Sequence, residues 1–271
     1  MINLESKDFL SKEQIKEQTP SVFTNQPASN VSKHYTHIPT SIIIDDMEKL
    51  GWKVSGVQEV KARKSIGFQK HLIVFRNPEV VINGDDGDTV FPQVLLTNSH
   101  DGKNAFTFTA GLFRLVCANG LVVSTEEFEN VKMRHMGYKF EDLQAKIRGM
   151  VEALPLTVES MNKMKSTQIK EKEAIKFAKK ALTTRFTKEQ IKVFKIDLKE
   201  LIKPTRTEDA GGDVWSVFNV VQEKIITGDF EYNMGGKVRK AREIKNFNQD
   251  INVNKKLFAM ANELVPQEIA S

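Results

Sequence analysis

The sequence predicts an α+β fold: an antiparallel sheet with helices on one face, followed by a helical C-terminal half. Three observations point there. Between Trp52 and Ala110 apolar residues alternate, or cluster in short runs closed by turn residues, as strands do. From Phe140 onward they recur every three or four residues, as amphipathic helices do. The two patterns occupy successive parts of the chain instead of alternating, which argues against a parallel sheet built from strand–helix–strand units. The expected organisation is a flexible arm over 1–33, a sheet region over 34–138, and a helical region over 139–265 packed on it as one domain.

The arm contains one helix start. Ser11 with Gln14 forms a capping box, and Leu10 with Ile15 forms a hydrophobic staple. Thr19-Pro20 ends that helix, and Asn25 to Asn30 is turn material. With Pro20 and Pro27 and no sustained apolar face, residues 1–30 are expected to lie outside the core. Thr40 or Ser41 caps the next helix, which runs through Ile44, Met47 and Leu50 until Gly51 stops it. Trp52 to Val60, His71 to Arg76, Gln93 to Thr97 and Phe106 to Ala110 read as strands, and Asn83 to Asp88 as a turn-rich loop. Gly111 to Val123 is apolar and fits either a buried helix or a strand.

In the second half, Phe140, Leu143, Ile147, Met150, Leu154, Val158, Met161 and Met164 mark one long apolar face, which Pro155 should kink or split. Further helices are expected near 170–184, 188–202, 213–227 and 252–264, the second of them opened by a capping box at Thr187 and Gln190.

Composition narrows the function classes. The 271 residues carry 40 Lys plus Arg against 35 Asp plus Glu, a net charge of +5, with 40% hydrophobic and 28% charged residues. That is globular composition and excludes a wholly disordered chain. No apolar run is long enough to cross a bilayer. The first ten residues lack the basic and apolar regions of a secretory signal. One cysteine, Cys117, excludes an intrachain disulfide and a cysteine-rich zinc site, and fits a reducing cytoplasm.

Charge is unevenly spread. Residues 34–138 sum to −1, 139–203 to +7, 204–236 to −4 and 237–256 to +5. Lys237, Arg239, Lys240 and Arg242, followed by Lys245, are crowded beyond what solubility requires. A second cluster, Lys61, Arg63, Lys64 and Lys70, lies between two expected strands together with Phe68. Cations with an aromatic on a sheet edge can follow a phosphate backbone and stack a base. A charged edge also prevents sheet-to-sheet aggregation, and both readings stay open for that cluster.

Catalytic groupings are thin. Asn98-Ser99-His100-Asp101-Gly102, with Cys117 and Asn119 further on, could form a thiol nucleophile with a histidine base and a polar orienter. Asp101-Gly102 is equally a turn pair, and Cys117 between Val116 and Ala118 reads as a small buried hydrophobe, so no catalytic residue is assigned. Ser99 and His100 remain a candidate polar site for a phosphate or sugar. His34 and His37 lie three residues apart and His135 follows Arg134, but no helical His/Glu motif supplies a third ligand to the pair, and Asp85, Asp86 and Asp88 lack the spacing of a calcium loop. No phosphate-cradling or dinucleotide glycine motif occurs, so no metal or cofactor is expected.

Several blocks carry a family resemblance. They are Thr97 to Gly102, Phe113 to Gly120, Val214 to Glu223, Arg239 to Ile244, and Asn254 to Ala261. In order and content they resemble the family of phage-, prophage- and plasmid-borne proteins filed as domain of unknown function nine-three-two, across residues 35–264. The resemblance implies a mobile-element setting and brings no catalytic residues with it. The order of helix, Gly51-Trp52, basic-edged antiparallel sheet and later helices is also similar to that of Rad52-like single-strand annealing proteins.

The leading expectation is therefore a DNA-binding accessory protein that favours single strands and acts in replication or recombination, able to form a homo-oligomer, with no membrane partner. Lys61, Arg63, Lys64, Lys70, Arg114 and the segment Lys237 to Lys245 would neutralise phosphate, with Phe68 and Phe106 as stacking partners. The alternative is a protein-interaction module, such as an inhibitor of a host enzyme, that uses the acidic 204–236 segment and Trp215. An enzyme acting through His100 and Cys117 ranks third.

Overall fold

A computed structural model of the chain describes residues 9–33, 35–61, 66–80, 82–83, 89–104, 106–114, 120–121, 131–133 and 139–266. The fold is α+β and divides into two units, Ile2–Leu154 and Pro155–Ser271.

The first unit is built on an antiparallel sheet. β1 (Lys53–Glu59) pairs β2 (His71–Arg76), β2 pairs β4 (Thr89–Asn98), and β4 pairs β5 (Phe106–Arg114). Three short strands complete it: β3 (Ile82–Asn83) on β4, and β6 (Gly120–Leu121) and β7 (Val131–Met133) on β5. The Gly111 to Val123 ambiguity resolves as strand, at least over Gly111–Arg114 and Gly120–Leu121. Register explains the core: Ile73 faces Leu96, which faces Phe108, so the three lie on one side of the sheet. Helices α2 (Thr40–Lys49) and α3 (Phe140–Glu152) cover that side with Ile43, Ile44, Met47, Leu143 and Ile147. Gly51 turns the chain out of α2 with φ 82, where an L side chain is disfavoured.

The arm expectation is corrected over residues 10–23. Ser11 caps α1 (Lys12–Gln18) through the capping box read from sequence, and a 3-10 turn follows at Pro20–Phe23. Ile15 and Val22 are buried in the sheet core, and the Leu10 amide donates to the Val54 carbonyl at 2.8 Å. Two apolar side chains on one short helix and one turn sufficed to dock the segment, although the apolar stripe was too short to stand out. The division between units also falls later than 138, because Leu143 and Ile147 place α3 on the sheet.

The second unit starts with α4 (Leu154–Ser166), so the long 140–164 stripe is split beside Pro155. α5 (Glu171–Ala181), α8 (Val214–Thr227) and α9 (Phe247–Asn262) bury Ala174, Phe177, Trp215, Phe218, Val221, Leu257 and Phe258. Between α5 and α8 lie the short α6 (Lys188–Val193), β8 (Lys195–Ile196) and α7 (Leu198–Ile202), where sequence periodicity suggested one helix. A hairpin of β9 (Glu231–Met234) and β10 (Lys237–Lys240) joins β8 in a second sheet, ordered β10-β9-β8. Among the described residues no helix is long and apolar enough to cross a membrane.

Candidate nucleic-acid interface

The crowded cations of the C-terminal segment lie on an edge strand. Gly235 and Gly236, at φ 61 and 82, give the hairpin a two-residue turn with both positions left-handed, the type whose twist suits adjoining strands. Arg239 pairs Tyr232, which pairs Ile196, and Lys237 pairs Met234, so these side chains share one face. Val238, Asn233 and Lys195, with Lys240 and Glu231, share the other. Every β10 side chain is exposed, including Val238 at 63%.

The strand is held in place from below. Gly228 ends α8 with φ 75, and a Cβ there would meet the Arg242 carbonyl carbon at 2.6 Å, so the chain leaving β10 presses against a position only glycine can fill. The Arg185 guanidinium donates to the carbonyls of Ile225, at 2.6 Å, and Arg242, which ties the end of α8 to the same segment. Two amides continue the attachment, Ala241 to the Phe230 carbonyl and Ile244 to the Ile226 carbonyl, both at 2.9 Å. Lys240 pairs with Asp229 at 3.0 Å.

Aromatic rings back the same hairpin. Phe194 stacks on Tyr232 with centroids 4.8 Å apart, and Phe186 meets both edge-on or tilted. Phe194 and Tyr232 are partly exposed. A cationic edge beside partly open rings offers the two contacts a single strand presents, phosphate and base face. Lys195, Tyr232 and Phe194 were missed in the sequence reading. The available signal was Gly235-Gly236 between two short extended runs, which is a hairpin signature within a stretch read as helical.

The other expected residues are placed as follows. Lys237, Arg239, Lys240, Arg242 and Lys245 are all exposed. Lys61 is exposed in the first unit, while Arg63 and Lys64 lie outside the described residues. Phe68 is partly buried, and its carbonyl accepts from the His100 amide at 3.2 Å. Lys70 is half-buried, and burial lowers its pKa. Arg114 ends β5 opposite Val90, but its side chain is outside the described part, as are Cys117 and Asn119. Phe106 is corrected: it is 1% exposed and packs edge-on to Phe108 in the core, so it cannot stack a base. Trp215 is 2% exposed, which removes the side chain that the interaction-module alternative relied on.

Ser99 and His100 are fully buried, so the candidate polar site is an internal network. Thr40 Oγ1 lies 2.9 Å from His71 Nε2, 3.3 Å from His100 Nε2 and 2.9 Å from Asn98 Nδ2. A hydroxyl has one hydrogen and two lone pairs, so this set fills it. His71 Nδ1 lies 3.1 Å from the Gln69 carbonyl, which can only accept, so Nδ1 carries the proton. His71 Nε2 is then bare and accepts from Thr40, while Asn98 and His100 Nε2 donate to Thr40. The tautomers of both rings follow from that one carbonyl. His37 donates through Nε2 to the Thr24 carbonyl at 2.9 Å and sits edge-on to His100 at 4.6 Å. Burial drives the His71 pKa down to about 4, so the ring is neutral near pH 7. Ser99 Oγ donates to Asp101 at 2.7 Å and accepts from Asn104 Nδ2 at 3.0 Å. This arrangement holds the loop 99–104 in place. Among the described residues no group of His, Cys, Asp and Glu could hold a metal ion.

Comparison with known proteins places the chain. The family model described as "Domain of unknown function (DUF932)" matches residues 27–258, and the chain belongs to that family. Two relatives from Escherichia coli (strain K12), UPF0380 protein YfjQ and UPF0380 protein YafZ, are each 29% identical over 264 residues, covering 95% of this chain and 92% of theirs. No solved structure matches. These matches do not extend to a mobile-element origin or to Rad52-like annealing proteins.

Proposed function

We propose that this member of the DUF932 family binds single-stranded nucleic acid, using β10 and the segment through Lys245 as a phosphate-binding edge and Tyr232 with Phe194 as a stacking surface. The observation that carries the reading is the exposure of Lys237 and Arg239 on an edge strand, on the face that also bears the partly open Tyr232 ring, which stacks on Phe194. Cations kept clear of the core at an edge can release counterions from a polyanion. An accessory role in replication or recombination is part of the same proposal and needs no catalytic residue.

The test is binding of labelled single- and double-stranded DNA across a salt series. If five cations engage phosphates on a single strand, log K falls against log salt with a slope of about −3.5. The double change Lys237→Ala with Arg239→Ala makes that slope shallower by about 1.4 and leaves the melt unchanged. Only millimolar affinity for either DNA at physiological salt, with no response to the change, rejects the reading.

A further inference from the structure

We propose that the outer edge of β10 pairs with an extended acidic segment of a protein partner, which adds to the second sheet as a further strand. This goes beyond the nucleic-acid reading and does not depend on it.

The register of the hairpin decides which backbone groups face outward. Phe230 and Ala241 stand opposite each other, one step beyond the Glu231–Lys240 pair, and the Ala241 amide donates to the Phe230 carbonyl at 2.9 Å. In an antiparallel ladder, directly bonded pairs alternate with unbonded ones. Tyr232 with Arg239 and Met234 with Lys237 are therefore bonded pairs, whereas Val238 and Lys240 turn their amide and carbonyl away from β9. β10 stands at one end of the order β10-β9-β8, so among the described residues no strand meets those groups. The turn stands clear as well: among the described residues, a Cβ on Gly235 or Gly236 would meet nothing within 4 Å.

Donors and acceptors alternate along this edge, the N–H and C=O of Val238 and then those of Lys240. A phosphate chain only accepts and leaves both carbonyls unmatched, while a peptide strand answers every group. The side chains set the partner's charge. Lys237 and Arg239 extend from one face, and β10 contains no acidic residue. Two copies of β10 paired about Val238 would set Lys237 against Arg239, and paired about Arg239 they would set that residue against itself. Like charges directly opposite are destabilising, so a second copy of this chain is disfavoured. Carboxylates at the same two positions turn that repulsion into attraction. Val238, 63% exposed on the other face, takes an apolar residue opposite it. The partner segment thus alternates acidic and apolar residues. Its carboxylates engage Lys237 and Arg239, the cations of the DNA reading, so the two ligands compete.

The probe is a short labelled peptide of alternating glutamate and valine, titrated with the full chain by fluorescence anisotropy at fixed salt. Its valine amides face β10 in this register, and N-methylating them should weaken binding by about tenfold. N-methylating the glutamate amides, which face away, should leave the affinity as it was. On the protein, Val238→Pro removes one outward amide at an edge position that tolerates proline, and should cost about tenfold in peptide affinity with a normal melt. Val238→Ala keeps that amide and should change the affinity little. No binding of the peptide overturns the inference, and so does equal binding of the two methylated forms, which would mean contact through charge alone. A dimer of the unchanged protein that Val238→Pro abolishes would give the edge to a second copy and overturn it too. DNA binding is read separately in the salt series, and neither result there alters these outcomes.

Discussion

His71 and His100 share the single hydroxyl of Thr40, their ring centroids 5.4 Å apart, and the protonation of one dictates that of the other. His71 gives its Nδ1 hydrogen to Gln69, so it must accept at Nε2, and Thr40 must then receive from His100. The network joins α2, β2 and the loop after β4, and it lies under the 3-10 turn, where Ser21 Oγ meets His71 Nδ1 at 2.9 Å.

The two units should respond to acid with opposite signs. The folded-state pKa of His71 falls from 6.5 to about 4 because the ring is buried. Its stabilising contribution is full above pH 6.5 and is lost as pH falls towards 4, by about 3 kcal/mol. Asp250 on α9 is displaced the other way, from 3.8 up to about 6, chiefly by burial, with the Glu243 charge adding to it and the hydrogen bond from Asn254 opposing it. The folded second unit therefore holds a proton that the unfolded chain releases between pH 4 and 6, and it gains stability as pH falls through that window. Hydrogen exchange followed by peptide at pH 7 and pH 5 should show protection falling around β2 and rising around α9. Parallel changes in both units would refute the assignment.

Thr40→Val tests the shared hydroxyl directly. It keeps the shape but removes the acceptor of the Asn98 amide and the donor to His71 Nε2 at a buried site, at about 1–3 kcal/mol for each group left unsatisfied. A loss of about 3 kcal/mol or more is expected in a denaturant melt. Thr40→Ser retains the hydroxyl and should lose about 1 kcal/mol, the worth of a buried methyl group.

Packing of α1 leads to a further expectation. Ile15 is 1% exposed within the sheet core, so Ile15→Ala should cost about 2–5 kcal/mol, the range for buried aliphatic truncation. A change below about 0.5 kcal/mol in the midpoint analysis would return the segment to the status of a loose arm.

What the sequence made legible divides along physical lines. Alternation marked β1 and the first half of β5, short apolar runs marked β2 and β4, whose described side chains are buried almost throughout, and a three- and four-residue period marked α3. Ser11-Gln14 and Thr187-Gln190 marked helix starts because capping is local chemistry. Residues 10–23 were misread because two buried side chains, Ile15 and Val22, do not make a periodic stripe. β8 to β10 were missed because their side chains are exposed on one strand and polar on the next, leaving only Gly235-Gly236 as a signal. The buried state of Ser99, His100 and Phe106 depends on cross-strand partners distant in sequence, which no local pattern records.

Gly228 should prove indispensable for reasons of space as well as backbone angle. Gly228→Ala places a Cβ 2.6 Å from the Arg242 backbone at φ 75, and backbone cannot rotate away as a side chain would. Gly212 has a similar φ of 67, but the nearest atom to its Cβ is Gln168 Oε1 at 3.8 Å, so Gly212→Ala isolates the angular cost alone. That cost is about 1–2 kcal/mol. Gly228→Ala should exceed it clearly in a melt and should also weaken DNA binding by displacing Arg242. Equal losses in the two variants would show that the approach at Arg242 relaxes freely.

Tyr232 separates stacking from charge. Its ring lies on the same face as Lys237 and Arg239 and stacks on Phe194, yet it is only partly buried, so a base can reach it. Stacking contributes about 1–3 kcal/mol per base and releases no counterion. Tyr232→Leu keeps an apolar contact with Phe194 while removing the flat π-face. Affinity for single strands should therefore fall by about fivefold or more while the slope of log K against log salt stays as it was. Lys237→Ala with Arg239→Ala should do the reverse to the slope. A shallower slope in Tyr232→Leu would mean that the change had displaced the cationic edge, and an unchanged affinity with a normal melt would remove Tyr232 from the interface.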